Sequence, residues 1–173
     1  MTTYPHNQVM PINRSGGRQL MPIITLATAL VAAGLLAGLF YAYTVSVLPG
    51  LARADDRTFV EGMRGINAAI VNGWFMLSFL GAPVLAAVAL FLNLRNGPVL
   101  WWSIAGFGCL LAVLLITGAL NIPLNNALEA GRAGYDQLRA QFEAPWVRWN
   151  NLRTAFAIAG FGCLLGALLS RRP

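Results

Sequence analysis

Two short segments carry most of the polar groups that could do chemistry. NIPLN, Asn121 to Asn125, sets two carboxamides either side of a proline, and PWVRWNNLRT, Pro145 to Thr154, sets Trp149 and Arg153 four residues apart on one helical face, with Trp146 and Asn150 on the adjoining turn. Carboxamides both donate and accept hydrogen bonds, and a guanidinium is a permanent cation with a planar fork of donors. Together they indicate a polar pocket, because buried amides and guanidinium groups must find partners. Tyr41, Tyr43 and Ser46 close an apolar run upstream, Asn67 and Asn72 precede a second one, and Thr117 ends a third.

Each of these groups also has a plainer reading. Asn121 and Asn125 would cap the third helix, which Pro123 interrupts with Ile122 before it extended, and tie down the following loop, or touch a ligand, and the two readings are not exclusive. Arg148 either snorkels to lipid headgroups or joins the site, whereas Arg153, one turn deeper, calls for a partner such as a pocket amide, an enolate or a phenolate. The single histidine is His6, and Cys109 and Cys163 sit in apolar runs that suit core packing. No metal set, nucleotide fingerprint, phosphate loop or catalytic triad can be assembled, so no cofactor is expected.

The elements that position these residues follow from composition. The chain has 173 residues, 57% hydrophobic and only 10% charged, which leaves too little polar surface for a water-soluble monomer. Apolar segments over about 23–48, 73–92, 99–120 and 150–170 predict an all-α fold, a polytopic four-helix transmembrane bundle. Residues 1–20 read as a flexible leader and 21–173 as one membrane domain. Before Gly73, Phe59, Met63, Ile66 and Ile70 recur at helical spacing, predicting either a short amphipathic helix at the outer surface or the outer turns of a long second helix. Pro83 is expected to bend the second span, RNGP at Arg95 to Pro98 to form a tight turn, and residues 122–143 to form a loop with a short surface helix.

Charge sets the expected direction. All twelve basic residues are Arg, giving a net charge of +6, yet they form no dense patch, so nucleic acid is not an expected partner. Arg14, Arg18, Arg95, Arg171 and Arg172 fall at the termini and the middle turn with no acid among them, while all six acids fall in the first and third connections. Both termini are therefore expected in the cytoplasm and the polar half of the bundle at the outer face, in a bacterial inner membrane. Trp101 and Trp102 would mark one interface, and Trp74, Trp146 and Trp149 the other. AGFGCLL occurs twice, from Ala105 and from Ala159, and its small residues, with Gly34, Gly38, Gly162 and Gly166, would permit close helix contact.

With these motifs assembled, the chain resembles the anthrone oxygenase-like family of small membrane proteins. The resemblance rests on YAYTVSVLPGL, MRGINAAIVNGWF, TGALNIPLNNAL and PWVRWNNLRTAFA, and covers about Leu26 to Leu169. It implies a hydrophobic aromatic substrate, with dioxygen as co-substrate, in a polar pocket near the outer ends of the helices. Arg153, Asn121, Tyr41 and Tyr43 would be the catalytic candidates, and Asn67, Asn72, Asn125, Trp149 and Asn150 the substrate contacts. Many family members carry a histidine where this chain has Asn151, so no imidazole base or metal ligand is expected there. The residues alone equally allow a noncatalytic membrane protein that binds a lipid, a quinone or a hydrophobic metabolite, or that stabilises a membrane complex. Membrane lipids are expected partners in either case, and a homo-oligomer is left open.

Overall fold

The structure, a computed structural model, describes the backbone of residues 15–171 and side chains from residue 20 onward. His6 and most of the leader, Arg14 and Arg172 lie outside the described residues, as does the side chain of Arg18. The elements are α1 (Ser15–Ala42), the π-helical turn π1 (Tyr43–Val47), α2 (Leu48–Leu51), α3 (Asp56–Ile70), α4 (Gly73–Leu92), α5 (Gly97–Ile116), a second π-helical turn π2 (Thr117–Asn121), α6 (Ile122–Ala130) and α7 (Tyr135–Leu169). Among the described residues there is no strand.

Four helical stretches, Leu20–Leu51, Gly73–Leu92, Gly97–Ala130 and Tyr135–Leu169, are long and apolar enough to cross a membrane. In the bundle α1 packs on α4 and α7, and α5 packs on α4 and α7. The inner layer is rich in small side chains, including Ala29, Ala33, Ala82, Ala86 and Ala157, while Val31, Leu35, Leu80, Val84, Leu115 and Ile158 point outward. An apolar exterior over an alanine-rich interior is what a bundle solvated by lipid requires. The two AGFGCLL copies pack on each other: a Cβ at Gly106 would come within 3.1 Å of Leu164, and one at Gly160 within 3.3 Å of Cys109 and Leu110. Gly34 and Gly166 similarly face Phe161 and Trp102, but Gly38 and Gly162 meet nothing within 4 Å.

Four features depart from the sequence expectation. The first helix takes in Ser15 to Leu20, which the sequence reading assigned to the leader. Pro123 does not end the third helix. The turn π2 inserts a residue, the Ile122 N–H reaching Thr117 O, and the chain restarts as α6 with Pro123 in the first turn, where a missing N–H is tolerated. Ile122 is accordingly helical, at φ −61° and ψ −45°, not extended. The expected loop of residues 122–143 shrinks to residues 131–134, because α6 runs to Ala130 and α7 starts at Tyr135. The middle turn also lies slightly earlier than RNGP, over residues 93–96, with Gly97 and Pro98 already in α5.

The segment before Gly73 is a separate helix. Val71, at φ −78° and ψ 70°, breaks it from α4, and Asn72 caps α4 by accepting from Phe75 N at 3.0 Å. Asp55 caps α3, accepting from Thr58 N at 3.0 Å and from the Thr58 hydroxyl at 2.7 Å, which holds its carboxyl below the usual aspartate range. Phe59, Val60 and Met63 bury completely against a cluster that includes Leu48, Leu128, Leu138, Phe142 and Trp146. Two arginines fasten this layer. Arg64 donates to Leu128 O at 2.8 Å and to Gly131 O at 3.1 Å, satisfying carbonyls at the end of α6. Arg139 bonds Glu143 at 2.6 Å, Asp56 at 3.0 Å and the carbonyls of Ala52 and Ala54 at 2.9 Å. The charges at the start of α7 thus tie it to the link between α2 and α3.

Candidate functional site

The polar groups gather where the two π-helical turns face α7. A π turn widens the helix and turns side chains away from the regular 3.6-residue register, and such turns recur at functional sites. Here π1 supplies Tyr43 and Thr44, π2 supplies Thr117 and Asn121, and α7 brings Trp146, Asn150 and Arg153. Between them lies a cavity of about 280 Å³.

Arg153 forms its buried end and is 6% exposed. Its Nη2 donates to Asn150 Oδ1 at 3.0 Å and its Nη1 to the Thr117 hydroxyl at 3.4 Å, that hydroxyl in turn donating to Val113 O at 2.7 Å. The guanidinium carbon lies 4.6 Å from the Phe40 ring centre and 5.3 Å from that of Trp146, two contacts in the range of cation–π attraction. Among the described residues the ion pairs involve Arg64 and Arg139, and none involves Arg153. A buried cation without a counter-charge is costly to retain, because its desolvation is repaid only by dipoles and ring faces. Its Nε has no partner, nor has either amide atom of the fully buried Asn121.

A second layer holds the first in place. Asn150, also fully buried, donates through Nδ2 to the Thr44 hydroxyl at 3.0 Å and toward Phe40 O at 3.5 Å. Thr44 Oγ1 lies 3.1 Å from both Asn151 Oδ1 and Thr154 Oγ1, so one hydroxyl links α7 to the end of the first span. Farther out, Trp146 Nε1 donates to Asn125 Oδ1 at 2.7 Å, joining α6 to α7. The rest of the wall is apolar, from Leu39, Ile66, Ile70, Phe75 and Phe79 among others.

Six of the nine sequence candidates converge here. Arg153, Asn150, Asn67, Asn125 and Tyr43 line the cavity, and Asn121 sits in π2 one turn from Thr117 without reaching the cavity wall. The other three lie elsewhere. Tyr41 is 53% exposed on the outside of the first span, Asn72 is the cap of α4, and Trp149 stacks near Arg148 at 5.9 Å instead of facing Arg153. Trp146, expected as an interface marker, is buried in the wall, whereas Trp74, Trp101 and Trp102 are exposed. The capping reading of NIPLN does not describe either amide, since Asn121 makes no cap bond and Asn125 accepts from Trp146. Phe40 and Thr44 also belong to the site, though the sequence pattern marks them only by their spacing of four residues. Thr44 owes its position to π1, which nothing in the sequence announces. Among the described residues, no three His, Cys, Asp or Glu side chains cluster as a metal site would require.

Fold and site together define a polytopic helical membrane protein with a small, mostly apolar cavity that ends in an uncompensated cation. Residues 74–163, just over half of the chain, match the anthrone oxygenase family, and the chain belongs to that family. The matched region spans α4 through most of α7, and so takes in Asn121, Asn125, Trp146, Asn150 and Arg153. No curated protein and no solved structure gives a match.

Proposed function

We propose that the protein oxidises an anthrone-like or phenolic fused-ring substrate with dioxygen in the Arg153 cavity, with no further cofactor. The observation that carries this reading is the buried guanidinium, flanked by two aromatic rings and without a carboxylate, at the end of an apolar slot. Such a site favours a planar ring whose oxygen gains negative charge. At about 280 Å³ the cavity lies just below the usual range for small-molecule sites, about 300–1,000 Å³, which suits one fused-ring system better than a two-chain lipid.

In this reading the carbon opposite the ketone loses a proton and the ketone oxygen becomes an aromatic oxyanion. Arg153 stabilises that charge, while Asn150 and Thr117 hold the guanidinium in orientation. The electron-rich enolate transfers an electron to dioxygen, the two radicals combine at the deprotonated carbon, and loss of water leaves a second carbonyl. One anthrone and one dioxygen give one anthraquinone and one water. Tyr43 is the candidate proton relay, since it lines the cavity and Tyr41 does not.

The proposed setting is a bacterial inner membrane with both termini cytoplasmic and the cavity toward the outer face. Support comes from Arg95 and Arg171 at one end of the bundle and from the confinement of the six acids to α3 with its cap, the end of α6 and the first turns of α7 at the other. A second reading, a noncatalytic binder of a lipid or quinone, is favoured by one observation: among the described residues, no carboxylate or imidazole lines the cavity to act as a base. Oxygen uptake and anthraquinone formation in membranes carrying the protein, against empty membranes, separate the two. A rate above empty membranes on an anthrone supports oxidation. No such rate across anthrones and quinols, with a lipid or quinone retained on purification, supports the binder.

A further inference from the structure

The cavity has a closed side and an open side. Toward the connections it is roofed by α3, whose Ile66, Asn67 and Ile70 line it. That roof is anchored rather than loose: Phe59, Val60 and Met63 are fully buried beneath it, and the Arg64 and Arg139 bonds tie α3 and its approach to α6 and α7. The exposed members of the lining are instead Val71 at 72%, Met76 at 36% and Ile122 at 45%. All three are apolar. They belong to the junction of α3 with α4, the first turn of α4 and the start of α6, so the mouth lies between α4 and α6. Met76 and Ile122 lie within stretches apolar enough to span a membrane, and Trp74, 84% exposed beside them, is a residue type that settles at headgroup depth.

We infer that the cavity exchanges its ligand sideways with the bilayer, through a mouth formed by Val71, Met76 and Ile122, and not with water through α3. The ligand class this selects is an uncharged, membrane-dissolved fused-ring ketone or phenol, which acquires negative charge only beside Arg153. The inference rests on the cavity being a ligand site, as in the reading above, and does not depend on whether a reaction follows. An entry route is a kinetic property: obstructing it slows association and dissociation together and leaves their ratio nearly unchanged.

The test uses the full chain in lipid vesicles, with 2-hydroxyanthraquinone as the probe and quenching of tryptophan emission as the stopped-flow signal, assigned by Trp146→Phe. Val71→Trp and Ile122→Trp, both at exposed positions, are expected to slow binding and release at least tenfold each, with the equilibrium constant within about threefold of wild type. Arg64→Met with Arg139→Met, which loosens the roof, is expected to leave both rates within twofold. Faster exchange in the roof variant, with no effect of the mouth variants, overturns lateral entry in favour of entry from water. An equilibrium constant that changes with unchanged association identifies Val71 and Ile122 as ligand contacts and also overturns it. Absence of quenching in the wild type removes the cavity as a ligand site, and the entry route with it.

Discussion

Thr44→Val tests the support beneath Arg153 while keeping side-chain shape. Valine removes the oxygen that accepts from Asn150 Nδ2 at 3.0 Å and approaches Asn151 and Thr154 at 3.1 Å. Asn150 is fully buried, so its N–H group would retain only Phe40 O at 3.5 Å, the limit of a hydrogen bond. Leaving a buried donor unsatisfied costs about 1–3 kcal/mol. For a chain of this size each kcal/mol moves Tm by about 2–4 °C, so the expected drop is about 2–12 °C. Thr44→Ser keeps the oxygen and is expected to melt well above Thr44→Val. Thermal unfolding of the three proteins in one detergent makes the comparison. A Thr44→Val protein that melts within 1 °C of wild type refutes the role of this hydroxyl as the link between α7 and the first span.

Three further outcomes follow from other parts of the molecule. Asn125→Leu strands the Trp146 indole N–H, now bonded at 2.7 Å, and is expected to cost about 1–3 kcal/mol in a thermal melt, with an altered Trp146 emission; an unchanged melt would sink the assignment. Gly160→Leu forces atoms into the α5–α7 contact, where a Cβ already meets Cys109 and Leu110 at 3.3 Å, and should lose about 1–3 kcal/mol by overpacking, whereas Gly162→Leu, which meets nothing within 4 Å, should not. The Asp55 carboxyl is held below its usual pKa of 3.8 by the Thr58 bonds, so its cap is fully stabilising above that value and is lost as pH falls through the lower folded value. The melting difference between wild type and Asp55→Ala should therefore be constant near neutrality and shrink only in strong acid; a difference that disappears already at neutral pH contradicts the cap.

The spans were legible because bilayer thickness converts directly into a run of apolar residues, and charge marks the connections. The amphipathic spacing of Phe59, Met63, Ile66 and Ile70 announced α3, although only the structure separates it from α4 at Val71. What sequence pattern could not supply was the geometry of Pro123 and Thr44, since both depend on π turns that have no compositional mark. Pattern reading also treats an asparagine before a proline as a cap, whereas Asn121 is turned inward with both amide atoms unpartnered. Arg153 was legible because a guanidinium one turn inside an apolar helix demands partners. Its actual partners include two ring faces, Phe40 and Trp146, which look like ordinary core or interface residues in the sequence. Tyr41 and Trp149 lie off the cavity because small rotations around a helix decide which face a side chain joins, and for Tyr41 the register changes again at the π turn that starts two residues on.

If Arg153 stabilises an oxyanion on a ring held in the cavity, oxygen is not needed to observe that step. Anthrone mixed with the protein in vesicles under argon should develop the absorption of its enolate at a pH where free anthrone remains the ketone. With Arg153→Gln, at matched amounts of folded protein, the enolate band should fall by about 10²–10³ in equilibrium constant, the scale on which a single oxyanion donor acts. Admission of oxygen should then convert the band to anthraquinone in the wild type. Anthrone that binds the wild type yet stays a ketone, or an enolate band equally strong in Arg153→Gln, would contradict the account.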